Sequence, residues 1–194
     1  MPAFEIKNNE ITIEKETTKL DEFVIKLLSV IERYTKYAII GGYSSIFFGR
    51  SRATEDIDIF IEPVSYKKFQ SLYEELTNAG YELTIDDPKS LYKDYLREGL
   101  SIRIWEKGFP LLNLEVKFAK KKTQKETLDN RITVNFNGGK IYFGKIEAQI
   151  AYKKYILKSQ KDLEDARHLE IVFKNLSKEK IEYYKKVFED EFKR

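Results

Sequence analysis

Residues 37–62, YAIIGGYSSIFFGRSRATEDIDIFIE, decide how the chain folds. The apolar run Ala38-Ile39-Ile40 reads as a buried strand. Gly41-Gly42 follows, and glycine permits tight turning and close backbone approach to a ligand. Tyr43-Ser44-Ser45-Ile46-Phe47-Phe48 then suits a short buried helix. The free N–H groups and positive end of such a helix suit a phosphate, with Ser44 or Ser45 adding a hydroxyl. The same residue types also serve as a turn and a helix cap. Asp56-Ile57-Asp58-Ile59-Phe60-Ile61 is a second strand. Side chains alternate faces along a strand, so Ile57, Ile59 and Ile61 share one face and Asp56 and Asp58 the other. Two carboxylates two residues apart can hold a divalent cation jointly, or stand as surface charges on an edge strand facing water. Beside a phosphate cradle they are the parts of metal-assisted phosphoryl or nucleotidyl transfer.

Working outward, residues 21–34 form an amphipathic helix, with Phe23, Val24, Leu27, Leu28 and Ile31 at helical spacing. Pro63 stops the Asp-bearing strand. Ser65 caps a helix through Leu76, which Asn78-Ala79-Gly80 ends. Strands are expected at 81–85, 100–106 and 111–119. In the last of these Leu112, Leu114, Val116 and Phe118 face inward, and Asn113, Glu115 and Lys117 face the other way. A short helix is expected from Asp86-Asp87-Pro88 towards Arg97, and a turn at 127–130. Residues 132–143, broken at Asn137-Gly138, read as a hairpin. Residues 1–16 read as a loosely held start with one edge strand at 11–13. Beyond Gly144 the pattern is helical, with breaks near Ser159-Gln160 and Asn175-Leu176-Ser177. The expected fold class is α/β (α+β), a mixed sheet flanked by helices. It comprises a core at 1–144 and a C-terminal helical region at 145–194 packed on it.

A resemblance enters on the pattern Gly41-Gly42, spacer, Asp56-Ile57-Asp58. It is similar to the signature of the DNA polymerase β-like nucleotidyltransferase superfamily. Arg50, Arg52 and Thr54 add likeness to its small prokaryotic members, above all the abortive-infection type toxins. The motif occupies 37–62 of 194 residues. The resemblance implies transfer of a nucleoside monophosphate from an NTP to a hydroxyl, with Mg²⁺ or Mn²⁺ as cofactor. It implies a third carboxylate from a later strand, which helps deprotonate the hydroxyl and holds a second metal. Glu115 is the expected residue and Glu106 its rival, while an outward charge paired with Lys117 or Arg103 explains Glu115 equally simply. It implies phosphate contacts from Gly41, Gly42, Ser44, Ser45 and Arg52, although Arg50 and Arg52 serve equally as surface partners of Glu55. The segment Lys161-Asp162-Leu163-Glu164-Asp165 resembles the helical tail of the same toxins. There a lysine and an aspartate face the cleft, which points to Lys154 and Asp162. The spacing departs by one residue, so Lys153 stays open, and Asp162 is also a natural first-turn acid.

Composition bounds the rest. Charged residues reach 35% and aromatics 14%, with no Cys, one Met and one His. No disulfide or thiolate metal site exists, and a single histidine, His168, builds no His-rich site. Trp105 reads as packing. The richness in Lys, Glu, Ile and Tyr matches a hyperthermophile. No apolar run approaches the ~20 residues of a membrane span, and MPAFEIKNNE lacks signal-peptide character. A soluble cytoplasmic protein is therefore expected. Residues 1–112 carry 15 Lys and Arg against 19 Asp and Glu, whereas residues 113–194 carry 20 against 13. The basic half suits an RNA or tRNA acceptor, with Lys120-Lys121-Lys122 a candidate contact. A solvated charged surface explains the same numbers. Expected partners are an NTP, an acceptor (RNA, protein or small molecule) and an antitoxin-like protein. Two other classes remain: a non-catalytic, antitoxin-like partner that keeps the fold, and a nucleic-acid-binding module.

Overall fold

A computed structural model describes residues 6–193. Residues 1–5, part of the expected loose start, lie outside the described residues. In chain order the strands are β1 (Glu10–Thr12), β2 (Tyr37–Ile40), β3 (Asp56–Ile61), β4 (Tyr81–Leu83), β5 (Ile102–Glu106), β6 (Asn113–Phe118), β7 (Ile132–Phe136) and β8 (Gly139–Phe143). They form one mixed sheet in the order β1-β7-β8-β2-β3-β6-β5-β4. β3 pairs with β2 antiparallel and with β6 parallel. The Asp-bearing strand β3 and the Glu115-bearing strand β6 therefore lie side by side near the sheet's middle.

The alternation predicted for β3 and β6 is what buries one face. Ile57, Ile59 and Ile61, with Leu114, Val116 and Phe118, are all at most 3% exposed. Helix α1 (Lys19–Glu32) packs Val24, Leu27, Leu28 and Ile31 into the core. Thr18 caps it reciprocally with Asp21, satisfying donors that a helix start leaves open. The buried Asp21 carboxylate also accepts from Tyr43 Oη at 2.7 Å. That bond ties α1 to α2 (Gly42–Phe47). Helix α3 (Tyr66–Asn78) starts on Ser65, as expected, and buries Phe69, Leu72, Tyr73 and Leu76. A short α4 (Pro88–Ser90) runs into a π-helical turn, Leu91–Leu96.

One expectation fails. The predicted turn at 127–130 is the end of a helix, α5 (Lys122–Asp129). Only Thr123 and Leu128 of that helix are buried, too few to write a helical period into the sequence. Its start is secured by Gln124 Oε1, which accepts the backbone N–H groups of Lys120 and Lys121 at 3.0 and 2.9 Å.

From Lys145 onward every regular element is helical. These are α6 (Ile146–Ala151), a π-helical turn Tyr152–Leu157, α7 (Gln160–Val172) and α8 (Lys178–Phe192). Lys158, in the left-handed region at φ 58°, turns the chain. Ser159 and Ser177 cap α7 and α8, at the breaks read from the sequence. Among the described residues no helix is long and apolar enough to cross a membrane.

Candidate functional site

The parallel β3–β6 ladder sets Asp56 opposite Asn113, Asp58 opposite Glu115, and Phe60 opposite Lys117. Asp58 and Glu115 open onto a cleft of about 370 Å³. Its far wall comes from the C-terminal helices through Gln149, Tyr152, Lys153, Phe188 and Glu191. Burial, then the neighbouring charge of Glu115, pushes the Asp58 carboxyl up to about 6, with a smaller push from Asp56. Lys117 and Lys153 act the other way. Glu115 has Lys117 Nζ at 3.4 Å and Arg103 Nε at 3.8 Å. Asp56 accepts from Asn113 Nδ2 at 2.8 Å. The rival Glu106 is exposed at the end of β5, opposite Tyr81 in β4, and lines no part of the cleft.

Among the described residues no three acidic, histidine or cysteine side chains converge as a ready metal cage. Mg²⁺ does not require one, since it takes one or two carboxylates and fills the remainder with water and substrate phosphates. The donors fit such an ion: hard oxygen ligands, crowded so that Asp58 resists ionising without a counter-charge.

Gly41 is glycine for two reasons. Its φ is +73°, and an added Cβ would stand 2.4 Å from Asp58 Oδ2. At Gly42 an added Cβ would stand 1.7 Å from Arg52 Nη2, so the guanidinium lies where a side chain would be. Ser44 and Ser45 are placed differently from the phosphate contact expected of them. Both are 0% exposed and neither lines the cleft. Their hydroxyls have no hydrogen-bond partner among the described residues. Both lie on α2, which packs against α7 and β3.

The two candidate lysines of the tail lie in different surroundings. Lys154 Nζ pairs with Glu170 at 2.9 Å and does not line the cleft. Lys153 lines it and is 2% exposed. Its Nζ meets Asp165 at 2.8 Å and Asp162 at 3.3 Å. Asp162 also bonds Ser159 Oγ within the cap of α7. Asp165, which the sequence reading passed over, is fully buried. It gathers Lys153, Arg50 and, at 3.4 Å, Arg52 Nε. The Asp-x-x-Asp spacing was a legible signal, since residues three apart share a helix face. Arg50 bonds Asp165, Glu164 and the Lys161 carbonyl rather than Glu55.

His168 Nε2 lies 3.1 Å from the Phe48 carbonyl, and Trp105 Nε1 donates to Glu82 at 2.9 Å. Of the lysine run, Lys120 bonds the Arg97 carbonyl and Lys122 faces solvent beside Glu126. Lys121 stands at the cleft between Glu191 and the Phe192 ring.

No protein-family model and no curated protein matches the sequence. Solved structures do match in shape. A solution structure of the antibiotic-resistance factor ANT(2'')-Ia aligns with TM-score 0.57 at 18% identity, over 92% of this chain and 95% of that one. A crystal structure of ANT(2'')-Ia with adenylyl-2''-tobramycin aligns with TM-score 0.56 at 20% identity, over 91% and 99%. The lincosamide antibiotic adenylyltransferase LnuA, lincomycin-bound, aligns with TM-score 0.52 at 16% identity, over 81% and 99%. With its mixed eight-stranded sheet, flanking helices and helical tail, the chain has the fold of these nucleotidyltransferases.

Proposed function

We propose that the protein is a metal-dependent nucleotidyltransferase that moves a nucleoside monophosphate from an NTP to a hydroxyl acceptor. The observation that carries this reading is the in-register pair Asp58 and Glu115 at a cleft whose turn, Gly41, has no room for a side chain against Asp58. Asp56 and Asp58 would hold a divalent ion, Mg²⁺ or Mn²⁺, which supplies positive charge to the triphosphate and to the departing pyrophosphate. Lys153, buried in the cleft wall, adds a fixed cation for phosphate oxygens. Arg52 stands over Gly42 as a second, and the Gly41–Gly42 backbone completes the phosphate side.

In the reaction the acceptor oxygen forms a bond to the α-phosphorus while the bond from that phosphorus to the β-bridging oxygen breaks. Pyrophosphate leaves with the electron pair, and the hydroxyl proton passes to the Glu115 carboxylate. The neighbouring Lys117 and Arg103 orient that carboxylate. The intact carboxylate set weighs against a non-catalytic partner protein. The basic C-terminal half favours an RNA or tRNA acceptor and hence a toxin-like role with an antitoxin partner. The cleft, of small-molecule size, favours a compact acceptor such as those of the structural neighbours.

The test is incubation with each α-labelled NTP, Mg²⁺, and total RNA, protein or a panel of hydroxyl compounds. Label should pass to one acceptor class in the wild type. It should fail in Asp56→Asn/Asp58→Asn and in Glu115→Gln. Full Mg²⁺-dependent transfer by the double variant would overturn the assignment.

A further inference from the structure

Asn113 opens β6 directly opposite Asp56 and is 4% exposed. Its Nδ2 donates to Asp56 Oδ1 at 2.8 Å and approaches the Glu55 carbonyl at 3.4 Å. Its Oδ1 is enclosed and has no hydrogen-bond partner among the described residues. An enclosed carbonyl oxygen without a donor is destabilising. Leucine, branched in the same way, would leave no polar atom unpaired in that position. What leucine lacks is a donor for Asp56.

The alternatives show why an amide is suited to that task. Lysine or arginine would satisfy the carboxylate but bring a fixed positive charge that repels a cation. Aspartate would add a further negative charge to a face where Asp56, Asp58 and Glu115 already stand. A neutral N–H donor fixes the carboxylate and does neither. We propose that Asn113 is a positioning residue for cation capture: its amide holds one oxygen of Asp56 so that the carboxylate is presented in a single orientation beside Asp58. This rests on the reading that Asp56 and Asp58 hold the ion.

The experiment is a Mn²⁺ titration of the purified protein without NTP or acceptor, following free Mn²⁺ by electron paramagnetic resonance. Melting curves of the same samples report folding. Asn113→Leu should melt at or above the wild-type temperature yet bind Mn²⁺ about 10-fold more weakly or worse, the usual loss when the partner of a ligand is removed. Introduced into Asp56→Asn, the same change should add nothing, since the two residues act through one bond. Asn113→Ala carries the same expectation if the leucine variant does not fold. Wild-type affinity in the Asn113 variants overturns the inference while leaving the carboxylate reading in place. A wild type whose Mn²⁺ binding is absent, or indifferent to Asp56→Asn and Asp58→Asn, overturns both.

Discussion

Asp58 shows how a single residue records the site's electrostatics. Its pKa is raised from 3.8 to about 6, by burial first and by Glu115 next. The folded, metal-free protein thus holds the Asp58 proton more tightly than the unfolded chain does. The contribution to stability is full below the unfolded value and is lost as pH rises through about 6. Asp58→Asn should therefore stabilise the metal-free protein at pH 8, by on the order of 3 kcal/mol, and leave it unchanged near pH 3. Urea midpoints at the two pH values, in chelator, measure this. A variant no more stable than wild type at pH 8 would show that Asp58 is not the strained carboxylate.

At the scale of elements, α7 is joined to the α2–β3 connection through one buried carboxylate. Asp165 is surrounded by Lys153, Arg50 and Arg52, and Asp162 shares Lys153. Removing Lys153 leaves Asp165 with Arg50 and Arg52 but takes the cation from Asp162, and breaking a buried pair in this way costs up to about 3–5 kcal/mol. Lys153→Met should accordingly destabilise the fold severely, whereas Lys154→Ala, at a half-exposed pair with Glu170, should cost less than about 1 kcal/mol. The same two variants divide on NTP binding, with Lys153→Met weakened and Lys154→Ala normal. Equal midpoints in a denaturant titration would refute the assignment.

The choice between these neighbours was left open by the sequence because the resemblance that pointed to Lys154 departs in spacing by one residue. Residues 152–157 are π-helical, with Lys158 N–H donating to the Lys153 carbonyl at 3.0 Å. Adjacent residues of a helix face different directions, and here Lys153 takes the cleft side and Lys154 the side of Glu170. Helix α5 was missed for a different reason: two buried residues in eight leave no periodic signal.

At the scale of the whole molecule, the cleft lies between the sheet and the helical tail, and α8 closes it by reaching α5. Glu191 accepts from Thr123 Oγ1 at 2.7 Å and pairs with Lys121 at 3.6 Å, while Lys121 covers the Phe192 ring at 4.7 Å. Glu191→Ala should cost roughly 1 kcal/mol for the lost hydrogen bond. It should raise amide exchange in the last turns of α8 while leaving α7 protected. Unchanged exchange there would mean that Tyr152, Phe188 and Phe192, whose rings pack at 5.2 and 5.8 Å, hold the helix unaided.

The sequence alone determined the local features of this protein. Those are the strand of alternating Asp and Ile, the glycine turn before it, the serine caps, and the face on which Asp56, Asp58 and Glu115 stand. Each follows from a short-range rule: period two in a strand, φ at glycine, or a side-chain oxygen at a helix start. Only the tertiary structure decided which pieces meet. It set Glu115 rather than Glu106 opposite Asp58, put Asn113 against Asp56, buried Ser44 and Ser45, and collected Arg50, Arg52 and Lys153 around Asp165. Strand order and helix docking join residues far apart in the chain. Such contacts are selected by the burial of whole faces, and no local pattern of residues records them.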